Sequence, residues 1–262
     1  MYSPLLCITH IYTQAISELL GLYLLIKEII GIAMGNKSNI QCIIFDCEGT
    51  LVDSERLVCQ AIVNAFAIFN VPLQLEDCVQ HFEGGKITEQ LAKVQHRSGT
   101  SIDIDKLEPI YRQQYALLSE THLQPISGVV DLLTRLKARN IELCVISNSS
   151  KAKLKAILSQ TQLSHFFGNN LFCGDDVGNW KPAPDILLYS AMYLGFSKDE
   201  CLYVDDTVQG VQTGIAAGIR TYQYQDIIHS YRAVSNQAPV IRSTIDLLSV
   251  IDSPFTSQPH IA

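Results

Sequence analysis

No Cys-x-x-Cys pair occurs among the eight cysteines, Cys7, Cys42, Cys47, Cys59, Cys78, Cys144, Cys173 and Cys201. That lack removes the usual signature of a zinc site or a redox dithiol. Cys42, Cys144 and Cys201 sit inside apolar runs, so the cysteines read as buried free thiols of a cytoplasmic protein rather than as a disulfide framework. The seven histidines show no metal-ligand spacing. No long basic run appears, and the formal net charge is −7, so a nucleic-acid partner is not expected. Internal repeats and low-complexity segments are also missing. An uncharged apolar run long enough to cross a membrane is absent too, because the stretch 15–33 carries Glu18, Lys27 and Glu28. No basic residue precedes that stretch and no clear small-residue cleavage site follows it, which argues against a signal peptide. Two readings remain for it: an amphipathic helix lying on the body, a partner or a membrane surface, or an extension outside the mature protein, with Met34 as the true start. The second is preferred, since Met34 lies just upstream of the first apolar strand.

What the chain does have is a hydrophobic content of 47%, which suits a globular protein with a real core. Its length of 262 residues allows one large domain, or a core with a smaller insert. Past Met34, short apolar strands alternate with helical segments, the pattern of a parallel sheet with crossover helices. Strands are predicted at 42–45, 142–146, 171–173, 201–204, 220–222 and 240–241. Helices are predicted between them at 129–139, 151–159, 183–194 and 208–217. Residues 55–124 differ. They contain no convincing strand and read as helices at 57–69, 88–97 and 105–119. About 70 residues is far too long for an ordinary crossover, so a helical insert is the simplest account. The expected organisation is an N-terminal extension (1–38), an α/β core (39–54 and 125–252), a helical cap (55–124) and a flexible tail (253–262).

Four places fall at strand ends and carry residues suited to phosphoryl transfer. The first is Asp46-Cys47-Glu48-Gly49-Thr50, directly after an apolar strand. Ligands bind at the carboxyl edge of open α/β sheets, and an aspartate there can act as a nucleophile and form an aspartyl-phosphate. The second, Ser147-Asn148-Ser149-Ser150, offers a hydroxyl and backbone N–H groups for phosphate oxygens, and equally an N-cap for the next helix. The third is Trp180-Lys181-Pro182, where prolines fix the backbone around a lysine that can neutralise charge on phosphate and nucleophile. The fourth, Asp205-Asp206, is a carboxylate pair suited to Mg2+.

Taken together and in this order, these segments resemble the four motifs of the haloacid dehalogenase superfamily, over roughly residues 41–248. The resemblance implies a Rossmann-like parallel-sheet core with an inserted α-helical cap, as in the phosphoglucomutase-like subgroup, and a Mg2+-dependent phosphatase acting on a small phosphorylated metabolite. The wording of the motifs is most like that of bacterial sugar-phosphate phosphatases. The resemblance further implies that Asp46 is nucleophile and metal ligand, that the backbone carbonyl of Glu48 and the Asp206 carboxylate complete the protein ligands, and that Asp205 supports the metal through water. Ser147 and the N–H of Asn148 would hold the phosphoryl group, and Lys181 would neutralise it.

One position departs from the family pattern. Its first motif reads Asp-x-Asp-Gly-Thr, with the second aspartate as general acid/base, and here that residue is Glu48. The extra methylene moves the carboxylate by roughly 1 Å, a displacement that can cost around a hundredfold in rate. The nucleophile is intact, so phospho-enzyme formation would survive better than its breakdown. Two further readings follow: a β-phosphoglucomutase-like phosphotransferase, and a catalytically weak phosphometabolite-binding protein. In the insert, His81-Phe82-Glu83-Gly84-Gly85-Lys86 resembles the cap loop that reaches over the active site. Lys86 is the candidate substrate contact, at the head of a stripe with Gln90, Lys93 and Arg97.

Overall fold

Six short segments build one sheet, five of them apolar with Ile, Val, Leu or Cys, and the fifth in chain order, Arg-Thr-Tyr-Gln-Tyr, mixed. They are β1 (Cys42–Phe45), β2 (Glu142–Ser147), β3 (Leu171–Cys173), β4 (Cys201–Asp205), β5 (Arg220–Tyr224) and β6 (Val240–Ile241). The computed structural model describes residues 39–82, 86–225 and 234–252. Neighbouring strands all pair in parallel, in the order β3-β2-β1-β4-β5-β6. All four β1 residues are buried, as expected of a strand covered on both faces. Crossovers run one way from β1 to β2 and β3, and the other way through β4, β5 and β6. The reversal lies between β1 and β4, the place where open α/β sheets form a ligand crevice at their carboxyl edge. Cys42 to Phe45 are in register with Glu142 to Val145 on one side and Cys201 to Val204 on the other. The residues that follow these strands therefore leave the sheet side by side.

Helices α1 (Glu55–Ile68), α2 (Leu75–Gln80), α3 (Ile87–Ser98) and α4 (Ile104–His122) separate β1 from β2. They enclose an apolar cluster of their own, including Cys59, Ile62, Phe66, Leu91, Leu107 and Tyr111. The chain enters and leaves this insert through adjacent crossings. Val52 bridges Pro125, the Asp53 N–H donates to the Gln124 carbonyl (3.0 Å), and the Ile126 N–H donates to the Leu51 carbonyl (2.9 Å). On the sheet, α5 (Val129–Ala138) and α6 (Lys151–Gln160) precede and follow β2, and α7 (Ser164–Phe167) precedes β3. Helix α8 (Asp185–Leu194) leads to β4, and α9 (Val208–Ala217) connects β4 to β5. One face of the sheet buries Cys42, Ile44, Cys144, Ile146 and Tyr203 against Ile186 and Leu187 of α8 and Ala217 of α9. Sheet, crossover helices and insert belong to one compact unit, Asn39–Leu248.

The expected strands recur, with β2, β4 and β5 running further so that Ser147 and Asp205 are final strand residues. Helix α8 begins at Asp185 rather than 183, with Pro184 as its N-cap, because Ala183 precedes a proline and is thereby disfavoured from helical backbone. The short helices α2 and α7 were not expected; at 6 and 4 residues they leave little periodicity to detect. The described cysteines are all free and buried. Among the described residues no helix is long and apolar enough to cross a membrane. Cys7, the stretch 15–33, Met34, Glu83–Gly85 and the tail 253–262 lie outside the described residues.

Helix α9 lies close enough to β5 that glycine is required between them. A Cβ on Gly214 would stand 1.9 Å from Thr221 Oγ1, and that hydroxyl is buried and donates to the Ile219 carbonyl (2.8 Å). Gly214→Ala is expected to lower the unfolding free energy by about 1–3 kcal/mol in a denaturant titration, with part of the loss recovered when Thr221→Ala is added. A Gly214→Ala protein as stable as the parent would rule out this close packing.

Candidate active site

Three neighbouring strand ends deliver the first side chains. Asp46 follows β1, and its N–H still donates to the Val204 carbonyl of β4 (2.9 Å). Asp205 ends β4 and Ser147 ends β2, so both flank Asp46 at the carboxyl edge. Asp46, Asp205, Asp206 and Ser147 are all buried. Lys181 reaches in from the loop between β3 and α8, with its side chain only 7% exposed. Its ammonium donates to Asp46 Oδ1 (2.5 Å) and to Asp205 Oδ2 (2.8 Å).

The lysine is held from both ends. Asn148 Oδ1 accepts from the Lys181 backbone N–H (2.8 Å), and Asn148 Nδ2 donates to the Lys181 carbonyl (3.2 Å). The Asn148 side chain thus clamps the lysine loop to the end of β2. At the other end, Asp205 Oδ2 also accepts from the Tyr203 hydroxyl, while Asp205 Oδ1 accepts from the Thr207 N–H (2.8 Å) and hydroxyl (2.7 Å). Those donors match the lone-pair capacity of a carboxylate. Asp205 is expected from the sequence to stand beside a metal through water; the bonds described join it to Lys181, Tyr203 and Thr207. Thr207 is also the N-cap of α9, its hydroxyl accepting from the Gly210 N–H (2.9 Å). A Cβ on Gly210 would fall 1.8 Å from Asp205 Cγ, so the helix can approach the carboxylate only with glycine there.

Charge and burial set the ionisation of this group. Burial alone would lower the Lys181 pKa, but the Asp205 and Asp46 carboxylates outweigh it and hold the ammonium well above the ordinary lysine range. Burial raises the Asp205 carboxyl, yet Lys181 and the hydrogen bonds from Tyr203 and Thr207 bring it below the usual carboxylate range. For Asp46, burial dominates. The Asp205 and Asp206 charges add to it, Lys181 opposes, and the carboxyl lies well above its ordinary value.

The turn after β1 brings backbone against the second acidic motif. Gly49 has φ +93°, and a Cβ on it would lie 2.4 Å from Asp206 Oδ2. The Thr50 hydroxyl donates to Asp206 Oδ1 (3.0 Å), and Gln223 Nε2 donates to the Asp206 carbonyl (3.0 Å). No described backbone N–H donates to the Glu48 carbonyl. A divalent cation fits these residues on charge and donor type. Asp46, Asp205 and Asp206 bring three buried carboxylates against the one buried ammonium of Lys181. The Asp46 and Asp206 carboxylates with the Glu48 carbonyl form an all-oxygen set of the kind hard cations take. Among the described residues no group of three His, Cys, Asp or Glu side chains is arranged to hold a metal by itself. A set of two carboxylates and one backbone carbonyl does not require such a group.

The Ser147 hydroxyl accepts from the Ser149 N–H (3.0 Å), which shapes the loop after β2. Ser150 caps α6, its hydroxyl accepting from the Lys153 N–H (3.4 Å), so this loop carries both a strand-end hydroxyl and a helix start. The Glu48 side chain turns toward it, with Oε2 accepting from the Ser149 hydroxyl (2.5 Å) and Oε1 from Lys153 Nζ (2.7 Å). Of the expected residues, Asp46, Glu48, Ser147, Asn148, Lys181, Asp205 and Asp206 are gathered at one edge. Lys86 is not among them. It is the N-cap of α3, exposed, and none of the bonds of this cluster reaches it. The stripe it heads is also not a uniform solvated face: Gln90 is buried and Arg97 pairs with Asp77 (2.5 Å). Tyr203, Thr207, Ser149 and Lys153 were not singled out from the sequence. Tyr203 had a signal, since it stands two residues before Asp205 on the same face of its strand. Lys153 had none, being 105 residues from Glu48.

Comparison with known proteins gives a consistent result. A family profile described as haloacid dehalogenase-like hydrolase matches residues 40–218. The chain is 33% identical to the 6-phosphogluconate phosphatase of Escherichia coli K12, across 71% of this chain and 83% of that protein. It is 26% identical to the phosphoglycolate phosphatase of Aquifex aeolicus, across 80% and 96% respectively. Among solved structures, a haloacid dehalogenase-like protein of unknown function from Agrobacterium tumefaciens superposes with a TM-score of 0.70 at 28% identity, covering 81% of this chain and 97% of that one.

The Lys181 ammonium is the only described counter-charge bonded to Asp46 and Asp205. Lys181→Met leaves both carboxylates buried without it and is expected to cost about 3–5 kcal/mol of stability, measured by denaturant unfolding. Adding Asp46→Asn removes one of the stranded charges and should restore part of the loss. Unchanged stability in Lys181→Met would disprove the structural role of the pair.

Proposed function

The chain belongs to the haloacid dehalogenase-like hydrolases, and we propose that it is a Mg2+-dependent phosphatase that hydrolyses a small phosphorylated metabolite, a sugar or sugar-acid phosphate, through an aspartyl-phosphate on Asp46. The observation that carries this reading is the Lys181 ammonium bonded to both Asp46 and Asp205 at the switch point of the sheet, beside the Ser147 hydroxyl. That arrangement supports a reading of Asp46 as nucleophile, of Lys181, from the loop after β3, as a phosphate-facing cation, and of Ser147 as a hydroxyl donor. The substrate class follows the relatives, which are named for 6-phosphogluconate and phosphoglycolate. Free buried thiols suit a cytoplasmic setting.

In the first half-reaction an Asp46 carboxylate oxygen bonds to phosphorus as the ester P–O bond breaks, and Glu48 gives its proton to the leaving oxygen. In the second, Glu48 takes a proton from water as the water oxygen bonds to phosphorus. The Asp46–phosphorus bond then breaks and inorganic phosphate leaves. Ser147 and the N–H of Asn148 orient the phosphoryl oxygens, and Lys181 offsets their charge without needing to reorganise. Asp205 acts through Lys181, fixing its position. A bound Mg2+, held by the Asp46 and Asp206 carboxylates and the Glu48 carbonyl, supplies further neutralisation and favours the ionised form of Asp46. Helices α1–α4 serve as the cap that keeps bulk water out while the ester is broken.

Phosphate release from a panel of sugar and sugar-acid phosphates tests the reading. Activity is expected with Mg2+ and should disappear on chelation, and Asp46→Asn should lower kcat by at least roughly a thousandfold. Asp46→Asn turning over like the parent would defeat the assignment of the nucleophile. Ligand-induced thermal stabilisation without any phosphate release would instead favour a non-catalytic phosphometabolite-binding protein. Transfer of the phosphoryl group to a second sugar phosphate in preference to water would favour the phosphoglucomutase-like alternative.

A further inference from the structure

We infer that Lys153, with Ser149, is a positioning residue that holds the Glu48 carboxylate at the reaction centre and offsets the extra methylene of glutamate at this position. The inference rests on the phosphatase reading, in which Glu48 moves protons, and it adds a residue that reading does not contain. A glutamate has one more rotatable bond than an aspartate, and a proton-transfer group must be held within a fraction of an ångström of its working place. Here each carboxylate oxygen has its own donor. Oε2 takes the Ser149 hydroxyl (2.5 Å) and Oε1 takes the Lys153 ammonium (2.7 Å). Two donors on two oxygens fix the plane of the group as well as its distance.

The donors are themselves on fixed backbone. Ser149 lies two residues beyond the end of β2, and its N–H is bound to the Ser147 hydroxyl (3.0 Å). Lys153 is in the first turn of α6, and its N–H is capped by Ser150 (3.4 Å). Lys151, two residues earlier, is committed elsewhere, with Nζ on Asp176 Oδ1 (2.7 Å). The two lysines of this turn therefore serve different carboxylates. The Lys153 ammonium also lies 5.5 Å from the centroid of the Tyr115 ring of α4, within the range of a cation–π contact. The anchor of Glu48 is thus roofed by the last helix of the insert. The Glu48 side chain is 23% exposed, so the pair is shielded from solvent on its Glu48 side, while Lys153 keeps 44% exposure and tolerates substitution.

The test compares the parent, Lys153→Met and Lys153→Arg, each also in a Glu48→Asp background, for kcat, KM and the single-turnover rate of phospho-Asp46 breakdown. Methionine keeps an unbranched side chain of similar length and removes the charge and the donors. Lys153→Met is expected to lower kcat and phospho-enzyme breakdown by about tenfold to a hundredfold, with KM changed by less than about threefold. Lys153→Arg should stay within about threefold of the parent. In the Glu48→Asp background the shorter side chain no longer reaches Nζ, so Lys153→Met should change kcat by less than about threefold there. An equal loss in both backgrounds, or a raised KM at constant kcat, would overturn the inference by showing that Lys153 acts on something other than Glu48. A Lys153→Met protein as active as an active parent would overturn it outright while leaving the phosphatase reading intact. A parent that releases no phosphate from any substrate would instead remove the phosphatase reading, and the positioning role with it.

Discussion

The site is organised around one buried cation shared by two buried carboxylates. An ammonium in this position is costly to desolvate, and so is each carboxylate. The group is tolerable only if every charge is closely met by its partners. That demand explains why the surrounding residues are so tightly specified. Asn148 grips the Lys181 backbone through donor and acceptor at once. Tyr203 and Thr207 use up the remaining capacity of Asp205. Asp205 is therefore best understood as the fixed end of a strut, with Lys181 as its working end at Asp46.

The sheet supplies the geometry in which such a strut can exist. Because β1 lies between β2 and β4, the last residues of three strands emerge within one crevice without any long loop having to reach across. The remaining approach distances are set by two glycines. Gly49 lets the turn after β1 come against Asp206, and Gly210 lets the first turn of α9 come against Asp205. At either position a methyl group would occupy space now filled by a carboxylate. These glycines are needed for the spacing of charge, whereas Gly214 serves only the packing of α9 on β5. The crevice thus concentrates acid, and the excess of carboxylate over ammonium is what makes a divalent cation a reasonable occupant.

Much of this was legible in the sequence, for an identifiable reason. The apolar strands announce themselves by composition, Asp46, Ser147, Asp205 and Asp206 stand at strand ends, and prolines mark the loop of Lys181, so a local reading finds these residues together. The helical insert was legible as an anomaly of length between β1 and β2. What escaped detection is long-range or lacks a pattern. Asn148 was read for its backbone N–H, while its side chain bonds to a loop 33 residues away. Gln90 falls on a polar stripe by spacing but is buried inside the insert, because the side that packs is chosen by tertiary contacts. Helices as short as α2 and α7 carry less than two turns of pattern.

Glu48 shows the limit of motif reading most clearly. In the motif alone it is an aspartate lengthened by one methylene, and the natural conclusion is a loss of precision. In the folded chain the longer side chain meets the Ser149 hydroxyl and the Lys153 ammonium, each on backbone fixed by its own hydrogen bond. A departure at one position cannot be weighed without the residues that face it, and those lie on another crossover of the sheet. The same contact joins the two parts of the unit, since Lys153 stands between Glu48 in the core and Tyr115 in the insert. The Tyr115 hydroxyl is buried and has no hydrogen-bond partner among the described residues. A polar atom left unpaired there is worth about 1–3 kcal/mol of desolvation, a cost that closer packing of α4 over the Lys153–Glu48 pair would have to offset. The placement of the Glu48 carboxylate and the placement of the insert are therefore physically one problem, with Lys153 as the side chain common to both.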